Sequence, residues 1–402
     1  MKNNKKIINL IYKIIMDNLN IDEFISLSKS EKNLFINIIF KSRAHFLVYK
    51  LFKKNEEDYK NYDFYKKAKE TVNLYSLQSM VNLEESYKLN KILNDNKIKF
   101  VFLKGFHLLN SYYNDLIERP IRDIDILVKR EDIKKIVNIL TKRGYSFEYN
   151  VDDASLDYFL KKSYDIPVLI GKNGSRLEVH FSIEPSSSAA KCVFSKKFLN
   201  DSKKIEFGNT YANVLSEEDL ILHLIYHGIK KSGPNVGIIF ITDVYKVLIL
   251  GNYDISTLIK KSQFYNLTPH LKIVIEILCM KSNSIKLHKL NDKLIYAVDS
   301  KTIEILDMLL INNAVTKEEV RLFQLVRKMK LRKLFQRFHR SSLQREYKIH
   351  KNQNAKLFFA HILRVTRHIK IILYFVIRVI FFKSFRLQFY KIKNILNYIN
   401  DY

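Results

Sequence analysis

Arg119-Pro120-Ile121-Arg122-Asp123-Ile124-Asp125-Ile126-Leu127-Val128 carries more structural information than any comparable segment of this 402-residue chain. From Arg122 onward acidic and apolar side chains alternate, which predicts a strand over Arg122–Val128. On such a strand Asp123 and Asp125 point to one side, while Ile124, Ile126 and Val128 point into a core. Two carboxylates that close repel each other unless they share a cation, so the pair is a candidate divalent-metal site. An isolated Asp-x-Asp also occurs as solvated acids at a strand edge, and the neighbouring segments must decide between the two readings.

Upstream, Phe100–Leu103 is a short apolar strand, Lys104-Gly105 a turn, and Phe106–Tyr113 the start of a helix. Downstream, Glu131 and Asp132 open a helix that Gly144 closes after Lys142-Arg143, as expected from the helix dipole and a left-handed cap. Ser146–Tyr149 reads as a further strand. Ile166–Ile170 and Arg176–Ile183 form a hairpin through Lys172-Asn173-Gly174-Ser175, where Asn-Gly favours a tight turn. In its second strand Leu177, Val179, Phe181 and Ile183 alternate with Arg176, Glu178, His180 and Ser182, giving one core face and one polar face. Glu178 can therefore face the aspartate pair.

The flanks are helical. Residues 1–95 carry apolar positions at helical spacing, and no Gly or Pro interrupts Lys66–Leu93. Ser216 followed by Glu217, Glu218 and Asp219 is an N-cap signature, after which helical patterns run to about Asn313. The fold class expected is α+β, a small mixed β-sheet core flanked by largely helical amino- and carboxy-terminal regions. The expected divisions are 1–95, 96–205, 206–315 and 316–402.

A hydrophobic content of 47% supports a sizeable core, and nine Gly and five Pro leave little room for long flexible linkers. Cys192 and Cys279 have no metal-ligand spacing and form no disulfide framework, which suits a reducing, cytoplasmic setting. Ile7, Ile8, Ile11, Ile14 and Ile15 recur at helical spacing around Lys13, so the amino terminus reads as an amphipathic helix rather than a signal peptide. Of the net charge of +28, the segment Arg321–Tyr402 holds +18, from 20 Lys or Arg against Glu346 and Asp401. That tail, with an apolar block at Ile371–Phe382 too short to span a bilayer, suits an anionic membrane surface or nucleic acid. Peripheral association at the inner membrane face is the corresponding expectation.

Leu103-Lys104-Gly105, the Arg119–Val128 motif and Glu178-Val179-His180, in that order, resemble the polymerase-beta-type nucleotidyltransferase superfamily. In particular they resemble its branch of uncharacterised bacterial nucleotidyltransferases, over roughly residues 95–250. The resemblance implies a magnesium- or manganese-dependent transfer of a nucleoside monophosphate from an NTP such as ATP to a hydroxyl or phosphate acceptor. It assigns Asp123, Asp125 and Glu178 to metal binding and catalysis, and Lys104 and Gly105 to the phosphates. Arg119 is a candidate for the triphosphate, and His180 orients the carboxylate or contacts substrate. Gly105-Phe106 stands where the wider superfamily has Gly-Ser or Gly-Gly, so a serine phosphate contact is missing and Lys104 is expected to replace it. His223 and His227, four apart on a helix, read as packing residues; the resemblance of His227 and Asp243-Val244 to a family pattern also suits the lining of a substrate cleft. A rival from another class is a catalytically silent adaptor that keeps this fold and binds membrane or nucleic acid through its tail.

Overall fold

The computed structural model describes residues 2–19, 21–183, 193–231, 237–298 and 356–366, together with 300, 303, 307 and 311. The leader folds as helices α1 (Lys2–Ile15), α2 (Ile21–Ile25), α3 (Lys29–Lys41), α4 (His45–Phe52), α5 (Glu56–Tyr59) and the long α6 (Asp63–Asp95). The α/β part follows as β1 (Phe100–Phe102), α7 (Lys104–Tyr112), β2 (Ile124–Val128), α8 (Ile133–Lys142), β3 (Ser146–Phe147), α9 (Asp153–Lys162), β4 (Leu169–Ile170) and β5 (Arg176–His180). Then come α10 (Val193–Asn200), β6 (Lys203–Phe207) and β7 (Thr210–Val214). Helices α11 (Glu217–Ile225), α12 (Gly237–Leu250), α13 (Ile255–Phe264), α14 (Thr268–Cys279) and α15 (Ile285–Lys293) complete the labelled elements.

The seven strands form one mixed sheet in the order β3-β4-β5-β2-β1-β7-β6. β2 lies inside it, antiparallel to β1 and parallel to β5, and the register sets Asp125 opposite Glu178 and Leu127 opposite His180. The hairpin β4–β5 turns at Gly174, whose φ of +82° is one that a glycine adopts without strain. The helix before β3 ends as expected, with Gly144 at φ +92°. The β6–β7 hairpin extends the sheet past residue 205, to Val214, where β7 pairs in parallel with β1.

Two apolar layers cover the sheet. Phe100, Phe102, Ile124, Ile126, Val128, Leu177 and Val179 pack with Leu89 and Leu93 of α6, Ile133, Ile136 and Leu140 of α8, and Phe106. Val101, Leu103 and Leu127, on the other face, join a cluster that runs from Ile7 in α1 through α11 and α12 to α14. The amphipathic α1 buries Ile7, Ile8, Ile11, Ile14 and Ile15 in that cluster. The expected polar face of β5 is open to water only in part: Arg176 and Glu178 are half-buried, while His180 and Ser182 are 5% and 1% exposed.

Two local expectations shift. The strand begins at Ile124, so Asp123 sits on a bend just before it, and α7 begins at Lys104 rather than Phe106. Phe106 is core, stacked 3.9 Å from Phe102 and edge-on to Phe207, which accounts physically for an aromatic residue where a serine was the reference. No helix among the described residues is long and apolar enough to cross a membrane. The basic tail lies outside the described residues apart from the helix at 356–366.

Truncating the Phe106 ring removes contacts from both faces of a packed aromatic trio. Phe106→Ala should cost about 3–5 kcal/mol of unfolding free energy in urea titrations; a loss below ~1 kcal/mol would contradict this packing.

Candidate active site

Asp125 is 4% exposed and lies in the middle of the sheet. Its Oδ1 accepts from the Lys104 ammonium at 3.1 Å and lies 2.9 Å from His180 Nε2. The same imidazole nitrogen is 3.5 Å from Glu178 Oε2. The β2–β5 register generates this group, since parallel neighbours present Asp125 and Glu178 side by side and His180 follows two residues later. Lys104 comes from the adjacent strand's exit: Leu103 N–H donates to Asp125 O at 2.9 Å, which fixes the start of α7 against β2. Lys104 has φ +35°, an uncommon value for a residue with a Cβ.

The loop before β2 is held by the leader. Ile121 N–H donates to Ser79 Oγ at 2.8 Å, and Asn82 Nδ2 donates to Ile121 O at 2.9 Å, both from buried positions on α6. The approach to Asp123 therefore depends on a helix some forty residues upstream.

The electrostatics separate the two aspartates. Burial pushes the Asp123 carboxyl up to about 6, with the charges of Asp125 and Glu178 adding to it and Lys104 and Arg119 only partly offsetting it. Burial acts on Asp125 in the same direction, but Lys104 and His180 outweigh it and hold its carboxyl well below the usual range. Reciprocally, burial would lower Lys104 and His180, yet the surrounding carboxylates raise both.

Asp125, Glu178 and His180 could hold a metal ion, since one donor atom from each lies within 4.8 Å of the others. Asp125 and Glu178 of the expected metal set are in this group together with His180, and Asp123 sits on the bend just before β2. Gly105 stands beside the site in the first turn of α7, and no side chain caps that helix. Arg119 has a different partner from the one expected. Its Nε donates to both Asp243 oxygens, at 2.8 and 3.1 Å, and its Nη1 donates to Pro120 O. Tyr113 completes that buried group by donating to Asp243 Oδ1 at 2.7 Å.

His223 and His227 converge on the site, although the spacing alone favoured a packing role. They line a small cleft with Lys104, His180, Ser182 and Tyr226. His223 is 3% exposed, and neither of its ring nitrogens has a hydrogen-bond partner. Burial, reinforced by Lys104 and His227, keeps it from taking a proton. His227 lies on a π-helical segment, Tyr226–Lys231, a geometry frequent at functional sites.

Residues 28–278 match the family described as "Uncharacterised nucleotidyltransferase". No curated protein matches the chain.

The two aspartates should respond oppositely to neutralisation. In metal-free buffer at pH 7.5, Asp123→Asn should raise the unfolding free energy by ~2 kcal/mol, since a raised carboxyl costs stability above its folded pKa. That gain should fade as the pH falls from about 6 toward 4, where the wild-type group takes up its proton. Asp125→Asn should instead cost ~3 kcal/mol by leaving Lys104 without its carboxylate. Denaturant titrations of both variants across that pH range check the sign, and equal responses would contradict the separation.

Proposed function

The chain belongs to the uncharacterised nucleotidyltransferase family, and on that premise we propose that it transfers a nucleoside monophosphate from an NTP to a hydroxyl or phosphate acceptor, releasing pyrophosphate. The observation that carries this reading is Asp125, buried and ionised, beside Glu178 and His180 and beside the uncapped start of α7.

The donor chemistry fits a divalent cation. Carboxylate oxygens suit Mg²⁺ and Mn²⁺, and an imidazole in the set leans toward Mn²⁺ or a later transition metal. Asp125, Glu178 and His180 would hold it, with the Asp123 carboxylate next along the chain. A cation there offsets phosphate charge and lowers the pKa of an attacking hydroxyl. Lys104 and the free amides in the first turn of α7 bind phosphate oxygens, because a helix amino terminus carries unsatisfied N–H donors and a partial positive charge. Packing does not demand glycine at 105: a Cβ there would meet only Ile121 Cγ2 and Cγ1, at ordinary contact distances of 3.7 and 3.9 Å. A phosphate approaching the backbone supplies a reason for it.

In the reaction the acceptor oxygen forms a bond to the α-phosphorus, the bond from that phosphorus to the bridging oxygen breaks, and pyrophosphate departs with the electron pair. The acceptor proton passes to Glu178, which at 33% side-chain exposure is the most open carboxylate of the trio, and from it to water. Asp125 stays ionised throughout, because Lys104 and His180 hold it so.

Incubation with α-labelled and γ-labelled NTPs, Mg²⁺ or Mn²⁺, and cell lysate tests the reading. Label from the α position alone should enter an acceptor, and Asp125→Asn should reduce incorporation by at least 100-fold. Transfer of the γ label, or α transfer unchanged in Asp125→Asn, would contradict it.

A further inference from the structure

A second small cleft lies beside the loop that leads into β2, and it shares no lining residue with the Lys104–His180 cleft. Four separate elements converge on it. Arg43 and His45 come from the α3–α4 junction, Tyr75 from α6, Arg119 and Arg122 from the loop, and Ile239 from α12. No aspartate or glutamate lines it. Arg119 is offset by Asp243, but among the described residues no carboxylate pairs with Arg43 or Arg122. The Arg122 guanidinium carbon lies 5.1 Å from the centre of the Tyr75 ring, a cation–π contact that leaves its N–H donors for another partner.

His45 brings a buried imidazole to the same cleft: it is 8% exposed and lies against the Arg43 backbone. Like charges gathered at one place cost free energy, and an anion bound among them removes that cost. Arg43 is exposed and Arg122 half-buried, so the cleft is reachable from solvent.

The cleft is also placed for chemistry. Arg122 precedes Asp123 directly, and Arg119 lies four residues before it on the same loop. In-line displacement brings the nucleophile in opposite the leaving group, so a reaction with nucleotide phosphates at α7 needs a separate place for the acceptor. We propose that the Arg43–Arg122 cleft binds a phosphate-type oxyanion carried by the acceptor, so that the acceptor is a phosphorylated molecule. This assignment rests on the nucleotidyl-transfer reading above. It places a specificity-determining contact in the helical leader, outside the α/β part.

Calorimetric titration of the full chain with inorganic phosphate, in Mg²⁺ with a non-hydrolysable NTP at saturation, tests the assignment. Phosphate should bind with the nucleotide present. Arg43→Gln and Arg122→Gln should each weaken it about tenfold, the scale of one charge-assisted contact. Equilibrium dialysis should find the affinity of Arg43→Gln for Mg²⁺·NTP within twofold of wild type. The assignment is overturned if neither variant alters phosphate affinity, or if the NTP displaces the phosphate and Arg43→Gln loses NTP affinity in parallel, which would make the cleft part of the nucleotide site. A wild-type chain that binds no Mg²⁺·NTP would overturn the transfer reading and the acceptor role with it, while phosphate binding that still depends on Arg43 would uphold the oxyanion cleft.

Discussion

One carboxylate oxygen, Asp125 Oδ1, takes both the Lys104 ammonium and the His180 imidazole as partners inside a sheet covered on both faces. An ionised acid at that depth is tenable only with opposite charge and hydrogen bonds close by. The fold is arranged to supply them. β1 delivers Lys104 through the bond from Leu103 N–H to Asp125 O, and β5 delivers Glu178 and His180 through parallel register. Each partner arrives from a neighbouring strand, so the charge balance of the site and the strand order of the sheet are one constraint.

The helical leader serves the same site rather than standing beside it. α6 packs Leu89 and Leu93 under the sheet and anchors Ile121 by two hydrogen bonds, which sets the course of the chain into Asp123. On the opposite face α1 and α4 share one apolar cluster with α11, α12 and α14. α12 contributes Asp243, the partner of Arg119. Residues remote in sequence thus meet around one short loop.

Much of this was legible in the sequence where the signal is local. Alternation over Arg122–Val128 and Arg176–Ile183, the Asn173-Gly174 turn and the Gly144 cap all depend on a few neighbouring residues; the turn and the cap appear in the structure, and the strands appear as the shorter Ile124–Val128 and Arg176–His180. What the sequence did not convey depends on long-range pairing. The ion pair of Arg119 with Asp243 spans 124 residues, and no local pattern distinguishes it from an arginine free to meet a triphosphate. The gathering of His180 with Asp125 and Glu178 follows from the parallel register of β5 on β2, which alternation within one strand does not register. The β6–β7 hairpin has its own alternation, yet its parallel pairing with β1 across a hundred residues is a tertiary fact.

The account turns on whether the buried Asp125 carboxylate receives a divalent cation together with a nucleotide. Electron paramagnetic resonance of Mn²⁺, titrated into the full chain in the presence of a non-hydrolysable NTP, reads this directly. The account predicts a bound Mn²⁺ signal in wild type that is lost in Asp125→Asn and weakened in His180→Gln. A bound signal of equal affinity in wild type and Asp125→Asn would contradict it.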